Sequence, residues 1–146
     1  MCGIAGFWRR GWSAEEIERV VVGMTATLRH RGPDGGGSWC DEAVGVALGH
    51  RRLSIIDLSP SGHQPMVSAS GRYVITYNGE VYNFGEIRQD LESRGAAFRG
   101  ASDTEVILTA IEEFGIKRAL QKFIGMFAFA LWDRKLQELV LVRDRL

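Results

Sequence analysis

Met126 to Trp132, seven consecutive apolar residues, is the longest unbroken apolar run in the chain and the feature that most limits its fold. Seven residues fall far short of the ~18 that would suggest a membrane span. With no polar position to offer water, the segment from Gly125 to Trp132 reads as a strand buried on both faces. A turn near Asp133 follows, and then a second strand from Glu138 to Val142, so the two pair as neighbours.

The rest of the chain alternates strand and helix signals irregularly. Gly3 to Trp8 is short and apolar and reads as a buried strand. Ser13 and Glu16 form an S-x-x-E capping box ahead of Ile17, Val20, Val21, Met24 and Leu28, a stripe at helical spacing. Arg29 to Gly37 is a loop punctuated by glycine and proline. Val44 to Leu48 and Arg52 to Ile56 read as paired strands around a polar corner at Gly49-His50. Asp57 to Gly71 reads as a longer loop. Arg72 to Tyr77 reads as a strand that runs into a turn signal at Asn78-Gly79. Asn83 with Glu86 opens a second helix carrying Ile87 and Leu91 inward. Ser102 with Glu105 opens a third, and Ala119 to Phe123 is a short helical stretch. Without a regular βαβ rhythm, the expectation is a layered α+β fold with antiparallel pairing, not a doubly wound sheet. No repeat or linker appears, and 146 residues suit one domain.

Charge and cysteine content exclude several roles. The 18 basic and 18 acidic side chains cancel, which gives no general attraction to nucleic-acid phosphates or acidic membranes. Arg9, Arg10 and Glu15 arrive before any signal-peptide apolar region can form. Two cysteines, Cys2 and Cys40, cannot build a disulfide framework, and with His30, His50 and His63 they show no metal-ligand spacing. An intracellular, cytoplasmic domain that binds no metal is expected.

Cys2 is the residue with the clearest chemical potential. It directly follows Met1 and is small enough for the methionine to be removed, leaving a thiol and a free α-amine on one residue. A thiol of pKa about 8.5 needs a base to supply its thiolate, and an α-amine near 7.7 to 8.0 is well matched to serve. The plain alternative is a buried or frayed terminal cysteine, which Gly3 and the apolar strand after it argue against. Acyl transfer also needs oxyanion donors, and Asn78-Gly79 at a strand end offers a side-chain amide and a backbone N–H. Arg51 or Arg52 could grip a substrate α-carboxylate in bidentate fashion. Asp103, at a helix start, could hold an ammonium, or could simply favour the helix dipole.

Met1-Cys2-Gly3, R-H-R-G-P-D at 29–34, H-x-R-L-S-I at 50–55, N-G-E-x-Y-N at 78–83 and Ser102 to Glu105 form an ordered series. The series resembles the class II glutamine amidotransferase domain, an N-terminal-nucleophile hydrolase, and more narrowly the glutaminase half of glutamine-hydrolysing asparagine synthetases. The resemblance covers the whole chain and implies a four-layer αββα sandwich of two antiparallel sheets. It implies Cys2 as nucleophile, with Asn78 and Gly79 as the oxyanion hole. Arg52, fixed in register by His50, would take the glutamine carboxylate. Leu53 and Ile55 would supply backbone contacts, and Glu80 and Asp103 would hold the amino group. The loop at 29–34 matches one close to the thiol, with no chemical step assigned.

The same resemblance implies L-glutamine as substrate and no cofactor in this domain. ATP and Mg2+ would belong only to a synthetase domain, whose S-G-G-x-D-S type loop is absent here. The family continues beyond the R-D-x-x segment at 143–146 into further strands. Residues 1–146 therefore read as a glutaminase domain incomplete at its C-terminus, with an exposed sheet edge and a tendency to self-associate or form homodimers. Two other readings stay open: a non-catalytic module that senses glutamine or docks a partner, and an amidotransferase for a sugar or peptide acceptor. A phosphate-binding loop at Gly32 to Gly37 lacks the Lys-Ser/Thr ending it would need.

Overall fold

The computed structural model describes residues 2–53 and 62–145. Among the described residues, seven strands and four helices run in the order β1 (Gly3–Trp8), α1 (Ala14–Thr27), β2 (Gly35–Asp41), β3 (Val46–Arg52), β4 (Met66–Val67), β5 (Tyr73–Val81), α2 (Phe84–Ser93), α3 (Asp103–Phe114), α4 (Ile116–Lys122), β6 (Gly125–Asp133) and β7 (Glu138–Arg143). The strands make two antiparallel sheets, one ordered β1-β3-β2 and the other β4-β5-β6-β7.

Strand alternation explains why the sheets stack. On β6, Phe127, Phe129 and Leu131 point into a core shared with Ile87 and Leu91 of α2 and Val106, Ile107 and Ile111 of α3. Ala130 and Trp132, on the opposite face, pack against Val46 and Leu48 of β3 and Val74 of β5. From Phe129 to Trp132 the strand is buried on both faces, as its apolar run leads one to expect, but Met126, at the other end of the run, is 55% exposed. On the far side of the first sheet, Ile17 and Val21 of α1 pack on Ala47. The layers are therefore α1, sheet, sheet and the α2–α4 group: a four-layer αββα sandwich.

The helix starts follow their caps. Ser13 Oγ accepts the Glu16 N–H, and a Glu16 carboxylate oxygen accepts the Ser13 N–H at 2.8 Å, completing the capping box. Ser102 Oγ caps α3 by accepting the Glu105 N–H at 3.3 Å, while the Glu105 carboxylate accepts the Arg99 and Gly100 N–H groups. Asn83 sits at the start of α2 without a capping bond. Its amide instead donates to the Lys122 carbonyl at 2.9 Å and accepts the Ile124 N–H at 3.0 Å, tying the end of β5 to the start of β6.

Several strand readings need correction. Gly49-His50 is no corner, because β3 runs unbroken from Val46 to Arg52 between β1 and β2. The second half of the expected hairpin, beyond Leu53, lies outside the described residues. Asn78-Gly79 is no turn either: β5 continues through it to Val81, in register with β6 as far as Gly125. The expected loops are shortened by β2, which begins at Gly35, and by the two-residue β4. β1 is an edge strand with partly exposed positions, not a buried one.

Candidate active site

The register of β1 on β3 places the Cys2 thiol. Ile4 lies opposite His50, and carried two residues further the same register brings Cys2 opposite Arg52. Residues directly opposite share a face, so Cys2, Arg52 and His50 all turn toward the second sheet, as Leu48 does. On that sheet Val74 packs against Leu48 and Thr76 donates to the Gly49 carbonyl at 3.0 Å. By alternation Asn78 faces the same gap. The two sheets thus bring the thiol, a guanidinium and a carboxamide together at one end of the sandwich.

A cleft of about 210 Å³ opens there. Its walls include Cys2, Arg52, Leu53, Asn78, Gly79, Glu80 and Asp103, seven of the eight residues singled out in the sequence. The eighth, Ile55, lies outside the described residues. His50, Gln64, Tyr77, Tyr82, Thr104 and Met126 complete much of the remaining lining.

Around Cys2 the contacts are backbone groups. The Leu53 N–H points at Sγ at 3.4 Å, and Sγ lies 3.7 Å from the Leu53 carbonyl. Arg31, in the R-H-R-G-P-D loop, donates from Nε to the Cys2 carbonyl at 3.1 Å and so helps fix Cys2. Arg51 lies on the other face of β3, where its Nε donates to the Gly32 carbonyl at 2.9 Å. The alternation of β3 therefore separates the two arginines, with Arg52 in the cleft and Arg51 bracing the loop.

The exposed edge of β5 makes the opposite wall. Tyr77 donates its N–H to Gln64 Oε1 at 2.7 Å, and Val81 donates its N–H to Asp103 Oδ2 at 3.3 Å. Gly79 lies between them, and by alternation its N–H leaves the strand on the same edge, into the cleft. Its partner in β6, Phe127, turns its own N–H and carbonyl away toward Asp144. Only glycine fits at 79: φ is 149°, and a Cβ would run into the Met126 carbonyl oxygen and Phe127 Cα.

Three buried groups at the cleft have shifted acidities. Burial raises the Asp103 carboxyl, an effect partly offset by the Tyr77 hydroxyl, which donates to Oδ2 at 2.6 Å, and by backbone N–H groups. Burial and then the Asp103 charge push the Tyr77 phenol upward, so it remains a donor. His50 is 1% exposed, and burial lowers its pKa from 6.5 to about 4 despite the bond to the Tyr77 carbonyl at 3.1 Å. A carbonyl only accepts, so the neutral ring carries its proton on Nε2. Nδ1 of His50 and Oδ1 of Asn78 are buried without a hydrogen-bond partner among the described residues.

Gln64, Thr104 and Tyr77 are not singled out as site residues in the sequence, and the loop at 29–34 is expected near the thiol without the Arg31 contact being foreseen. Gln64 sits in a stretch that reads as loop, and the side-chain direction of Tyr77 depends on a strand continuing past an apparent turn. A buried-polar pattern could have marked Gln64 only if the strand edge beside it had been known.

The whole chain, residues 1–146, matches the model of a family described as the glutamine amidotransferase domain. It is 40% identical over 146 residues to asparagine synthetase [glutamine-hydrolyzing] 1 of Bacillus subtilis strain 168, covering 99% of this chain and 22% of that protein. Against asparagine synthetase B of Escherichia coli K12 the identity is 37% over 147 residues, covering 100% and 26%. A protein named amidase chry2 from Gibberella zeae is 38% identical over 154 residues, covering 99% and 23%. The chain thus spans about a quarter of the length of these relatives. Among solved structures, the glutamine phosphoribosylpyrophosphate amidotransferase of B. subtilis superposes with a TM-score of 0.76 at 22% identity, over 97% of this chain and 37% of that one. The last comparison bears on the fold alone, the layered sandwich described above.

Proposed function

Because the chain belongs to the glutamine amidotransferase domain family, we propose that it hydrolyses L-glutamine to glutamate and ammonia through a thioester on Cys2. The observation that carries this reading is the convergence of Cys2, Arg52, Asn78, Gly79, Glu80 and Asp103 on one cleft. They come from both sheets and from the start of α3, so sequence proximity alone does not account for their meeting.

Removal of Met1 would free the Cys2 α-amine as general base. The thiolate attacks the carboxamide carbon of glutamine, a C–S bond forms, and the carbonyl oxygen becomes an oxyanion. Asn78 Nδ2 and the Gly79 N–H donate to that oxygen, the arrangement that stabilises developing charge most effectively in a site shielded from water. The C–N bond then breaks as the protonated amine gives its proton to the departing ammonia. Water, deprotonated by the same amine, attacks the thioester, and the C–S bond breaks to release glutamate and restore the thiolate. Arg52 holds the substrate carboxylate. Asp103 and Glu80 hold its ammonium, with Asp103 oriented by Tyr77 and Val81.

In a polypeptide of the relatives' length, the ammonia would pass to a synthetase region that amidates aspartate. ATP and Mg2+ would bind in that region, and the enzyme would work in the cytoplasm. No helix among the described residues is long and apolar enough to cross a membrane. The experiment is glutamine hydrolysis by Cys2→Ala and Cys2→Ser, in which no turnover is expected. Retained turnover in Cys2→Ala would overturn the nucleophile assignment.

A further inference from the structure

Strand β5 carries the proposed oxyanion groups, yet among the described residues its outer edge has a strand partner only briefly. β4 pairs with it at two positions, Met66 with Ile75 and Val67 with Val74, and then stops. Beyond that point the outward peptide groups of β5 are met by side chains. Gln64 Oε1 accepts the Tyr77 N–H at 2.7 Å, and His50 Nε2 donates to the Tyr77 carbonyl at 3.1 Å. Both side chains are buried, with 6% and 1% exposure. Together they give one residue the donor and acceptor that a neighbouring strand would otherwise supply.

The substitution has a consequence for the next outward peptide group, that of Gly79. A true strand continuing from β4 would take the Gly79 N–H into its ladder. Side chains stop one residue pair earlier and leave that N–H facing the cleft. The Gln64 amide also reaches across the cleft floor, donating from Nε2 to Thr104 Oγ1 at 3.3 Å. Thr104 follows Asp103 in the first turn of α3, so Gln64 ties the oxyanion wall to the helix start that faces the substrate amine. Gln64 is itself seated against β2: a side chain on Gly37 would run into the Gln64 carbonyl oxygen. Its position is set by three separate elements.

We propose that Gln64 and His50 are positioning residues, a side-chain clamp on the Tyr77 peptide that aims Asn78 and Gly79 at the oxyanion and fixes their distance from Asp103. The proposal rests on the glutaminase reading above. Neither residue touches the reacting atoms, so their loss should lower turnover without removing the nucleophile. Displacing oxyanion donors by an ångström or less costs about 10- to 100-fold in rate.

The test compares wild type with Gln64→Leu, His50→Leu and His50→Gln in glutamine hydrolysis, with active sites counted by a glutamine-analogue electrophile that alkylates Cys2. Gln64→Leu and His50→Leu should lose about 10- to 100-fold in kcat per titrated site, with KM changing by less than about threefold. His50→Gln can place an amide donor near the position of Nε2 and should recover most of the loss. Hydrogen exchange supplies a readout independent of turnover. Protection of the Tyr77 amide should fall at least about tenfold in Gln64→Leu, while that of Ile75, paired with β4, stays. Unchanged kcat per site, or unchanged Tyr77 protection, would overturn the clamp while leaving the glutaminase reading intact. A wild type that loses no activity as Cys2→Ala would overturn that reading and the clamp with it.

Discussion

Acid should weaken this fold through one buried imidazole. His50 is enclosed between the two sheets, and its pKa falls from the ordinary 6.5 to about 4. Burial is the main cause, and the nearby positive charges of His63, Arg52 and Arg51 add to it. The unfolded chain takes up a proton on His50 as pH drops through 6.5, whereas the folded protein resists until about 4. Stability is therefore complete above 6.5 and is lost progressively on the way down. The full passage amounts to about 3 kcal/mol, of which about 2 kcal/mol falls between pH 7 and pH 5. Asp103, raised by burial, acts in the opposite direction. Asp133, Asp90 and Glu16 are held low and lose their contributions only below their ordinary values. Urea unfolding of wild type and His50→Gln at pH 7, 6 and 5 separates the imidazole from these carboxylates, which both proteins share. The stability of wild type relative to the variant should fall by about 2 kcal/mol across that range. Parallel pH courses for the two proteins would show that His50 is not held neutral by the fold.

Two other substitutions probe the frame of the cleft. Gly79→Ala should lower glutamine turnover by about 100-fold or more, because the new Cβ forces the oxyanion strand away from β6. Wild-type turnover per folded molecule in that variant would argue against the Gly79 N–H as a donor. Asp133 accepts from Arg72 at 2.6 Å and from the Lys135 and Leu136 N–H groups, joining the start of β5 to the β6–β7 turn. Asp133→Asn should cost about 1.5–3 kcal/mol near pH 7 in chemical denaturation. The gap should narrow as pH falls through the depressed carboxyl range, and a gap that widened there would contradict this role.

The legible parts of the molecule were those written in local chemistry. The capping box at Ser13 and Glu16 and the helix start at Ser102 depend on contacts three residues apart. The apolar run at 126–132 announces a strand buried on both faces over 129–132 without help from any distant segment, though not the exposure of Met126. Gly49-His50 and Asn78-Gly79 misled for a shared reason. Turn-forming residues in mid-strand reflect demands from elsewhere: the close packing of α1 on β3 at Gly49, and the close approach of β6 to β5 at Gly79. The residues lining the cleft were legible as a set only through the family resemblance. Gln64 and Arg31 act through long-range bonds to Tyr77 and Cys2, and no local pattern encodes those partners.

The central claim is that Cys2, freed of Met1, is the covalent nucleophile of a glutaminase. Intact and peptide mass spectrometry of the purified protein, before and after exposure to a glutamine-analogue electrophile, addresses it directly. The account predicts a chain beginning at Cys2 and a single adduct on its thiol, with Cys40 unmodified and no adduct in Cys2→Ala. A chain that retains Met1 yet hydrolyses glutamine, or an adduct found on Cys40 alone, would contradict it.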